Sequence, residues 1–212
     1  MSDNKNKNAD MKKYVETCRE GFWQNIFRYE TEYLVAHLKN CHDVLSVGCG
    51  PAIIEGKLAE YGFNVTGLDI SEEALSCAPD SVRTFVGRAE KMPFAEVSFD
   101  AVIYIVSLQF IEDYRKALQK TAKVLKPEGR IIVMLLNPQS NFFKQRVREP
   151  DSYVNLIRHT DLQVMEDVMR KFFDIKTEYI LGVRDEEISD SNSPAEAALY
   201  AILGKKRQYV NE

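Results

Sequence analysis

The stretch Asp43-Val-Leu-Ser-Val-Gly-Cys-Gly-Pro-Ala52 decides the fold of this chain, because a glycine turn joins two patterns of different period. Residues 43–47 are a short apolar run that predicts a buried strand, and Ile53 to Tyr61 continues with helical spacing. Gly48 and Gly50 allow the backbone to approach a ligand closely. The helix start adds unpaired N–H groups and a partial positive charge. This order of elements is typical of a nucleoside-binding turn.

An acidic residue, Asp69, ends the next apolar run at Phe63 to Leu68, about 20 residues after the glycines, where a carboxylate binds the hydroxyls of a ribose. A lone Gly-x-Gly is more often a plain tight turn, so the prediction depends on strand, helix and Asp69 together. A dinucleotide fingerprint needs a small residue at Ile53, which disfavours NAD and FAD. The small residue here is Ala52.

The alternation of strand and helix patterns continues to the end of the chain and predicts an α/β protein with a doubly wound sheet. Ser71 is expected to cap a helix, and Thr160 with Gln163 is expected to form a capping box for a helix ending at Lys171. The other predicted elements are strands at Val82–Val86, Asp100–Val106, Arg130–Leu136, Phe172–Val183 and Ala197–Lys205, and helices at Tyr14–Leu38, about Asp113–Leu125 and near Phe142–Arg148. Arg184 to Pro194 is predicted to be an acidic loop.

Composition and charge exclude several functional classes. The chain has 212 residues with 28 Lys and Arg against 32 Asp and Glu, a net charge of −4 that argues against a nucleic-acid partner. The longest apolar run, Ile131 to Leu136, is far shorter than the roughly 20 residues of a membrane span. Residues 1–13 contain no apolar signal core, so we expect a cytoplasmic chain.

The four cysteines and three histidines do not have the spacing of a metal site. Cys41, His42 and Cys49 come closest to one, but their separations do not match zinc ligands. No Cys-x-x-Cys pair or disulfide framework is present in the sequence. We therefore expect neither a metal nor a structural disulfide.

Three stretches resemble the class I S-adenosylmethionine-dependent methyltransferases that act on small molecules, especially those of menaquinone and ubiquinone biosynthesis. They are DVLSVGCGPAIIEGKLAEYGFNVTGLDISEEAL (43–75), GRAEKMPFAEVSFDAVIYIVSLQFIEDYRKALQKTAKVLKPEGRIIV (87–133) and HTDLQVMEDVMRKFFDIKTEYI (159–180). The resemblance implies a Rossmann-like, seven-stranded sheet, mostly parallel with an antiparallel last strand and helices on both faces. It implies a methyltransferase domain at 41–206 with a lid insertion at about 137–159, an N-terminal helical lid segment at 1–40 and a tail at 207–212.

The resemblance also implies S-adenosylmethionine as the cofactor and indicates which residues bind it. Gly48 and Gly50 would line its methionine part, Asp69 would bind the ribose and Ile70 would lie against the adenine. The adenine edge would meet Ala89 and Glu90, and the sulfonium side would face Tyr104, Ile105 and Val106.

Three positions depart from the pattern of these enzymes. Ser46 stands where an acidic residue usually helps to hold the ammonium of the cofactor, and Arg88 replaces a common Asp. Gln109 stands where many relatives have a histidine. The missing acidic residue puts the affinity for the cofactor in question.

Methyl transfer by in-line displacement depends mainly on positioning and on exclusion of water, so a general base is optional. His159, Tyr14 and Tyr104 are the candidates for removing a proton from the acceptor, although each also fits a packing role. The catalytic residues therefore stay open at this point.

The segments outside the shared core are expected to form a lid over the carboxyl ends of the strands, where ligands bind. Aromatic residues there suit an apolar or aromatic small acceptor, although Phe22, Phe27 and Tyr29 fit core packing better. The remaining lid candidates are Tyr14, Trp23, Phe142, Phe143 and Tyr153, with the basic residues Lys144, Arg146 and Arg148.

Three functions compete on these grounds. The first is a methyltransferase for a small molecule. The second is a non-catalytic binding or regulatory protein with the same fold, suggested by Ser46 and the missing base. The third, a macromolecule methyltransferase, is disfavoured because Ile105-Val-Ser-Leu108 stands where amino-group methylation of DNA or glutamine uses an Asn/Asp-Pro-Pro-aromatic motif.

Overall fold

The computed structural model describes Cys18 and residues 21–207. Eight strands alternate with six α-helices and three short 3₁₀ turns in this part of the chain. The helices are α1 (Gly21–His37), α2 (Ile53–Glu60), α3 (Glu72–Leu75), α4 (Tyr114–Val124), α5 (Asn141–Arg146) and α6 (Leu162–Met169). The strands are β1 (Asp43–Val47), β2 (Asn64–Asp69), β3 (Arg83–Val86), β4 (Phe99–Ile105), β5 (Leu125–Leu136), β6 (Phe173–Arg184), β7 (Glu187–Ser189) and β8 (Ala197–Lys206).

The strands form one sheet in the order β3-β2-β1-β4-β5-β8-β6-β7. The first five strands pair in parallel, and β8 pairs antiparallel with both β5 and β6. The chain order reverses at β1, which lies between β2 and β4. In an open α/β sheet, such a reversal opens a crevice at the carboxyl ends of the strands. The glycine turn after β1 lies at this crevice.

Helices cover both faces of the sheet because successive side chains of a strand point to opposite sides. Val44 and Ile103 pack in the layer of α1 and α2, whereas their neighbours Leu45 and Val102 pack in the layer of α4 and α6. All four side chains are fully buried. Burying an aliphatic side chain of this kind contributes about 1.5–3 kcal/mol to the stability of the fold, so the central strands are a major source of that stability.

Side chains cap the helices near the crevice. Ser71 accepts a hydrogen bond from the N–H of Ala74 at 3.1 Å, as expected from its position before α3. The capping box expected at Thr160 is wrong, because Asp161 is the cap of α6 and accepts from the N–H of Val164 at 3.0 Å. A carboxylate at this position also interacts favourably with the helix dipole.

The sheet has eight strands rather than the expected seven, because the predicted acidic loop contains β7. Asp185 and Glu186 join β6 to β7 as a two-residue hairpin loop, with φ values of 47° and 66°. Two central residues with positive φ make the tight turn that suits the twist of a hairpin. This turn usually contains Asn or Gly, so its sequence here gave no signal.

Candidate functional site

The turn after β1 requires glycine at Gly48. Its φ is 73°, and a Cβ placed there would lie 2.6 Å from the Cβ of Ser107. Ser107 holds the same turn from the end of β4, since its hydroxyl donates to the carbonyl of Val47 at 2.5 Å. Gly50 has a φ of 54°, and no heavy atom lies within 4 Å of the place where its Cβ would be. The turn is therefore tight on its protein side and open on its ligand side.

Asp69 lies at the end of β2 and holds the glycine turn in place. Its two carboxylate oxygens accept hydrogen bonds from the N–H of Gly50 at 2.8 Å and the N–H of Ser71 at 2.9 Å. Each carboxylate oxygen has a second lone pair, so the group retains capacity to accept from a ligand hydroxyl. The carboxylate is thus fixed at the crevice by the backbone on both sides.

Two exposed apolar side chains lie beside Asp69. Ile70 is 69% exposed and follows β2, and Val86 is 57% exposed at the end of the adjacent strand β3, opposite Asp69 in the register. An apolar surface at a strand end suits a flat ring. Ala89 and Glu90 lie buried in the 3₁₀ turn (Ala89–Lys91) that follows β3. These residues surround one side of the crevice.

Arg88, which stands where an Asp was expected, orients the side chain of Glu90. Its guanidinium donates to the Glu90 carboxylate at 3.0 Å and lies 3.7 Å from Glu112. The guanidinium is about half exposed, whereas the Glu90 side chain is largely buried. A carboxylate held in this way keeps a defined position at the rim of the crevice.

A buried carboxyl group that the sequence analysis missed lies next to Ser46. The Ser46 hydroxyl donates to Oε1 of Glu55 at 2.5 Å, and both side chains are almost fully buried. Burial raises the pKa of Glu55 to about 7, the hydrogen bond from Ser46 opposes this rise, and the charge of Asp69 adds to it. The first turn of α2 thus places the Glu55 carboxyl directly beside the uncharged Ser46 side chain of β1.

Two of the candidates for a catalytic base, Tyr104 and His159, do not line the cavity described below. Tyr104 is fully buried in the core and its hydroxyl shares a hydrogen bond with Thr121 at 2.7 Å. The ring of His159 lies against Tyr114 with centroids 4.6 Å apart, and its Nε2 lies 2.9 Å from the carbonyl of Ile111. Tyr14 lies outside the described residues.

Gln109 joins β5 to the segment before α6 and has a structural position. Its side-chain oxygen accepts from the N–H of Leu136 at 2.7 Å, and its side-chain nitrogen donates to the carbonyls of Leu136 and His159 at 3.1 and 3.3 Å. All of these groups are satisfied within the protein. The side chain is fully buried and is absent from the cavity wall.

A cavity of about 390 Å³ opens beside the glycine turn, between the carboxyl ends of the strands and the segments expected to form a lid. Gly48 and Gly50 line its floor together with Ile105 and Val106 from the end of β4. Its aromatic lining consists of Trp23, Phe27, Phe110, Phe142 and Tyr153. Phe27, which we expected to be a packing residue, is therefore part of this wall.

Two residues with strained backbones line the same cavity. Val106 has a φ of 49° and Leu181 has a φ of 62°, in the left-handed region that side chains with a Cβ rarely adopt. Leu181 lies in β6 between the pairs Ile180–Leu199 and Gly182–Ala197. Such strain is concentrated at functional sites in proteins. Backbone strain and the aromatic lining therefore both indicate that this cavity is the functional site.

Glu30 is a second buried carboxyl at the cavity. It projects from α1, is only 3% exposed and lines the cavity together with Glu55. Burial raises the pKa of Glu30 to about 8, and the negative charge of Glu55 adds to the rise. The sequence pattern did not identify Glu30, because this residue lies on the buried face of α1, where apolar side chains are expected.

Within the part of the chain that the structure describes, no helix is both long and apolar enough to cross a membrane. Among those same residues, no group of three or more His, Cys, Asp or Glu side chains is arranged to hold a metal ion.

Comparisons with known proteins agree with this geometry. A family model described as a methyltransferase domain matches residues 45–133. The chain is 33% identical over 135 residues to a demethylmenaquinone methyltransferase from Corynebacterium glutamicum, a match that covers 63% of this chain and 56% of the relative. It is 27% identical over 179 residues to a ubiquinone biosynthesis O-methyltransferase from Idiomarina loihiensis, which covers 69% of this chain and 71% of the relative.

A solved structure from Thermotoga maritima has the same fold. It is an S-adenosylmethionine-dependent methyltransferase described as a possible histamine N-methyltransferase, with a TM-score of 0.80 and 21% identity. The superposition covers 94% of this chain and 97% of the other. At this identity the likeness shows the fold alone. The expected resemblance is confirmed, and the chain spans about half the length of the menaquinone enzyme that it matches.

Proposed function

Because the chain belongs to the class I S-adenosylmethionine-dependent methyltransferases, we propose that it transfers a methyl group from this cofactor to a small-molecule acceptor. The observation that carries the proposal is the aromatic cavity beside the glycine turn. A cavity of about 390 Å³ has a size typical of small-molecule sites.

The open side of the glycine turn supports binding of the cofactor at the crevice. Gly48 and Gly50 would lie along its methionine part, and Asp69 would accept from the ribose hydroxyls while keeping its two backbone hydrogen bonds. Ile70 would lie against the adenine, whose edge would face Ala89 and Glu90. When bound, the cofactor supplies a methyl group on a positively charged sulfur.

Glu55 would provide the negative charge that Ser46 lacks. An acidic residue at position 46 would extend from β1 toward the crevice, and the Glu55 carboxyl occupies this place through its hydrogen bond to the Ser46 hydroxyl. A carboxylate there pairs with the ammonium of the cofactor. This arrangement supports cofactor binding and removes one of the two grounds for a non-catalytic relative, the uncharged Ser46; the other ground was the missing base.

The cavity wall supports transfer by positioning and by exclusion of water. Ile105 and Val106 would present an apolar surface to the reacting groups, and Trp23, Phe27 and Phe142 would cover the acceptor. Enclosure of this kind holds the acceptor close to the methyl group and keeps competing water away. The names of the relatives do not decide the acceptor atom, since one is an O-methyltransferase and another a possible N-methyltransferase.

The test is incubation of the chain with S-adenosylmethionine labelled in its methyl group and a metabolite extract. We expect the label in a product of low molecular mass, separated from macromolecules by filtration. Label found only in protein or RNA would contradict a small acceptor. Isothermal titration calorimetry with S-adenosylhomocysteine tests the alternative, because a chain that binds no cofactor would be a non-catalytic relative.

A further inference from the structure

Glu30 is a buried acidic side chain whose carboxyl opens into the cavity. It is 3% exposed and lines the cavity, and its carboxyl has no hydrogen bond or ion pair with another described residue. A buried carboxyl without a partner is costly, so proteins rarely keep one without a function. Burial and the neighbouring charge of Glu55 raise the pKa of Glu30 to about 8, which is the consequence of this missing partner.

The basic group nearest the aromatic wall does not serve Glu30. The guanidinium of Arg146 lies 5.7 Å from the ring centroid of Trp23 and 5.4 Å from that of Phe142, and it pairs with Glu149 at 3.0 Å. It acts on the pKa of Tyr153, whereas Glu55 is the charged group that acts on Glu30. Within the described residues, the carboxyls at the cavity therefore outnumber the cations that neutralise them.

The aromatic residues of α1 lie on the same helical face as Glu30. Trp23, Phe27 and Glu30 follow the i, i+4, i+7 spacing of one face, and all three line the cavity. The rings of Trp23 and Phe27 are stacked with centroids 6.4 Å apart. Tyr153 lies close enough for the charge of Glu30 to raise the pKa of its hydroxyl further, after burial. A carboxyl that lines the same cavity as several aromatic rings suits an organic cation, which both groups attract.

We propose that the methyl acceptor is an amine that enters the cavity as its ammonium ion and binds to the carboxylate of Glu30 between these aromatic rings. This inference rests on the proposed function and names the class of its substrate. The ammonium supplies the partner that Glu30 lacks. A proton then moves from the nitrogen to an oxygen of Glu30, which leaves a neutral amine with a free lone pair, and no other bond changes.

A neutral acceptor such as a phenol or an alcohol does not explain Glu30. It would cover the carboxyl and remove the remaining water without supplying a positive charge, so Glu30 would stay protonated and its ionised form would remain without a partner. The ammonium of the cofactor does not need Glu30 as a second carboxyl, because Glu55 is already held beside Ser46 by a hydrogen bond. Glu30 lies on α1 on the same face as Trp23 and Phe27, which favours a contact with the acceptor over one with the cofactor.

The experiment uses the full chain saturated with S-adenosylhomocysteine. Isothermal titration calorimetry measures the binding of two matched pairs of probes, phenethylamine with phenethyl alcohol and tryptamine with tryptophol. We expect at least one amine to bind ten times or more tightly than its alcohol. In the variant Glu30→Gln, which keeps the shape of the side chain, this preference should fall below twofold. Glu32→Gln, an exposed change on the same helix, should keep the preference.

Proton release provides a second measurement that a packing role would not affect. Because Glu30 holds a proton at pH 7 in the free chain, binding of an ammonium should release close to one proton per amine. Titration in two buffers of different ionisation enthalpy measures this number, and Glu30→Gln should abolish it. Among the described residues, the other titratable groups that line the cavity are Cys18, Cys49, Glu55 and Tyr153, and they are unchanged in this variant.

The outcomes separate this inference from the proposed function. Equal binding of amines and alcohols, or absence of amine binding while S-adenosylhomocysteine binds normally, would overturn the amine assignment alone. Loss of S-adenosylhomocysteine affinity in Glu30→Gln would assign this residue to the cofactor and overturn it as well. Failure of the wild-type chain to bind S-adenosylhomocysteine would instead contradict the proposed function. Thermal denaturation of each variant shows that it is folded.

Discussion

The two ends of the central strands treat their carboxylates in opposite ways. At the amino end, Lys126 donates to Asp43 at 3.0 Å and to Asp100 at 2.9 Å, and Asp100 also accepts from the backbone N–H of His42 and Asp43. At the carboxyl end, Glu30 and Glu55 are almost fully buried and no cation contacts them within the described residues. The acids at the amino end are paired with a cation within the protein, whereas Glu30 and Glu55 are not paired with one among the described residues.

The pKa values record this difference. Hydrogen bonds from Asn64 and Lys126 lower the pKa of Asp43 to about 2. Burial raises the pKa of Glu55 to about 7 and of Glu30 to about 8. A folded protein gains stability from the first arrangement and loses stability through the second. The buried carboxyls at the carboxyl end of the strands therefore lower the stability of the fold. Groups with strongly shifted pKa values are concentrated at functional sites.

The largest expected effect is a decrease of stability with rising pH. Glu30 and Glu55 retain protons in the folded chain at pH values where the unfolded chain has released them, since the unfolded pKa is about 4.3. The free energy of unfolding should therefore fall by about 6 kcal/mol between about pH 5 and pH 8. Urea denaturation of the chain without cofactor measures this change across the range.

The double variant Glu30→Gln/Glu55→Gln is the control for the pH effect. Its free energy of unfolding should vary much less between pH 5 and pH 8, because the amides do not titrate. Asp43 and Asp100 act in the opposite direction and in a lower window, since their lowered pKa values stabilise the fold above about pH 4 and this stability is lost toward pH 2. Parallel curves for the variant and the wild type would contradict the role of the buried pair.

Removal of the Asp69 carboxylate should have the next largest effect, a loss of cofactor affinity. Asp69→Ala should weaken binding of S-adenosylhomocysteine about a hundredfold, because the ribose loses a charged acceptor and the N–H of Gly50 loses its partner. Calorimetry measures the affinity. Asp80→Ala, an exposed change, should leave the affinity unchanged. Wild-type affinity in Asp69→Ala would show that the ribose binds elsewhere.

Much of the fold and part of the candidate site could be predicted from the sequence, because local patterns determined the parallel strands. β1 begins and ends at the predicted residues, and the Ser71 cap before α3 is confirmed. The glycine turn and Asp69 were also found, because their spacing follows from the geometry of a strand and a helix. The strand β7 was missed since its turn residues, Asp185 and Glu186, are poor indicators of a hairpin.

The buried carboxyls could not be found from local patterns. Glu30 and Glu55 lie 25 positions apart on two helices, and each looks like an ordinary helical Glu in the sequence. Their burial depends on how α1 packs over α2 and the sheet. His159 shows the reverse case, because a histidine that suggested a base lies against Tyr114 outside the cavity. Chemistry that depends on long-range packing appears only in the folded chain.

A smaller effect should follow from neutralising Glu55 alone. Glu55→Gln should weaken S-adenosylhomocysteine binding about tenfold, because the ammonium of the cofactor loses one charged partner at Ser46. The double variant Ser46→Asp/Glu55→Gln moves the carboxylate back to β1 and should recover most of the affinity. Calorimetry near pH 8.5, where Glu55 is ionised, gives the comparison. Equal affinities in Glu55→Gln and the wild type would exclude this carboxyl as the ammonium site.

The smallest expected effect lies at the opposite end of the sheet. Lys126→Met removes the cation shared by Asp43 and Asp100 but keeps the aliphatic length of the side chain. Since Lys126 is about one-third exposed and solvent screens the pair, the loss should be about 1 kcal/mol, or about 2–4 °C in the melting temperature.

Differential scanning calorimetry measures the Lys126→Met loss, and Lys123→Met is its matched control, because Lys123 forms a single exposed pair with Glu96. The control should lose less than about 0.5 kcal/mol. S-adenosylhomocysteine affinity should stay within twofold of the wild type in both variants, because neither lysine lines the cavity. A large change of this affinity in Lys126→Met would mean that the two ends of the sheet are coupled, and that the carboxylates of one end influence the ligand at the other.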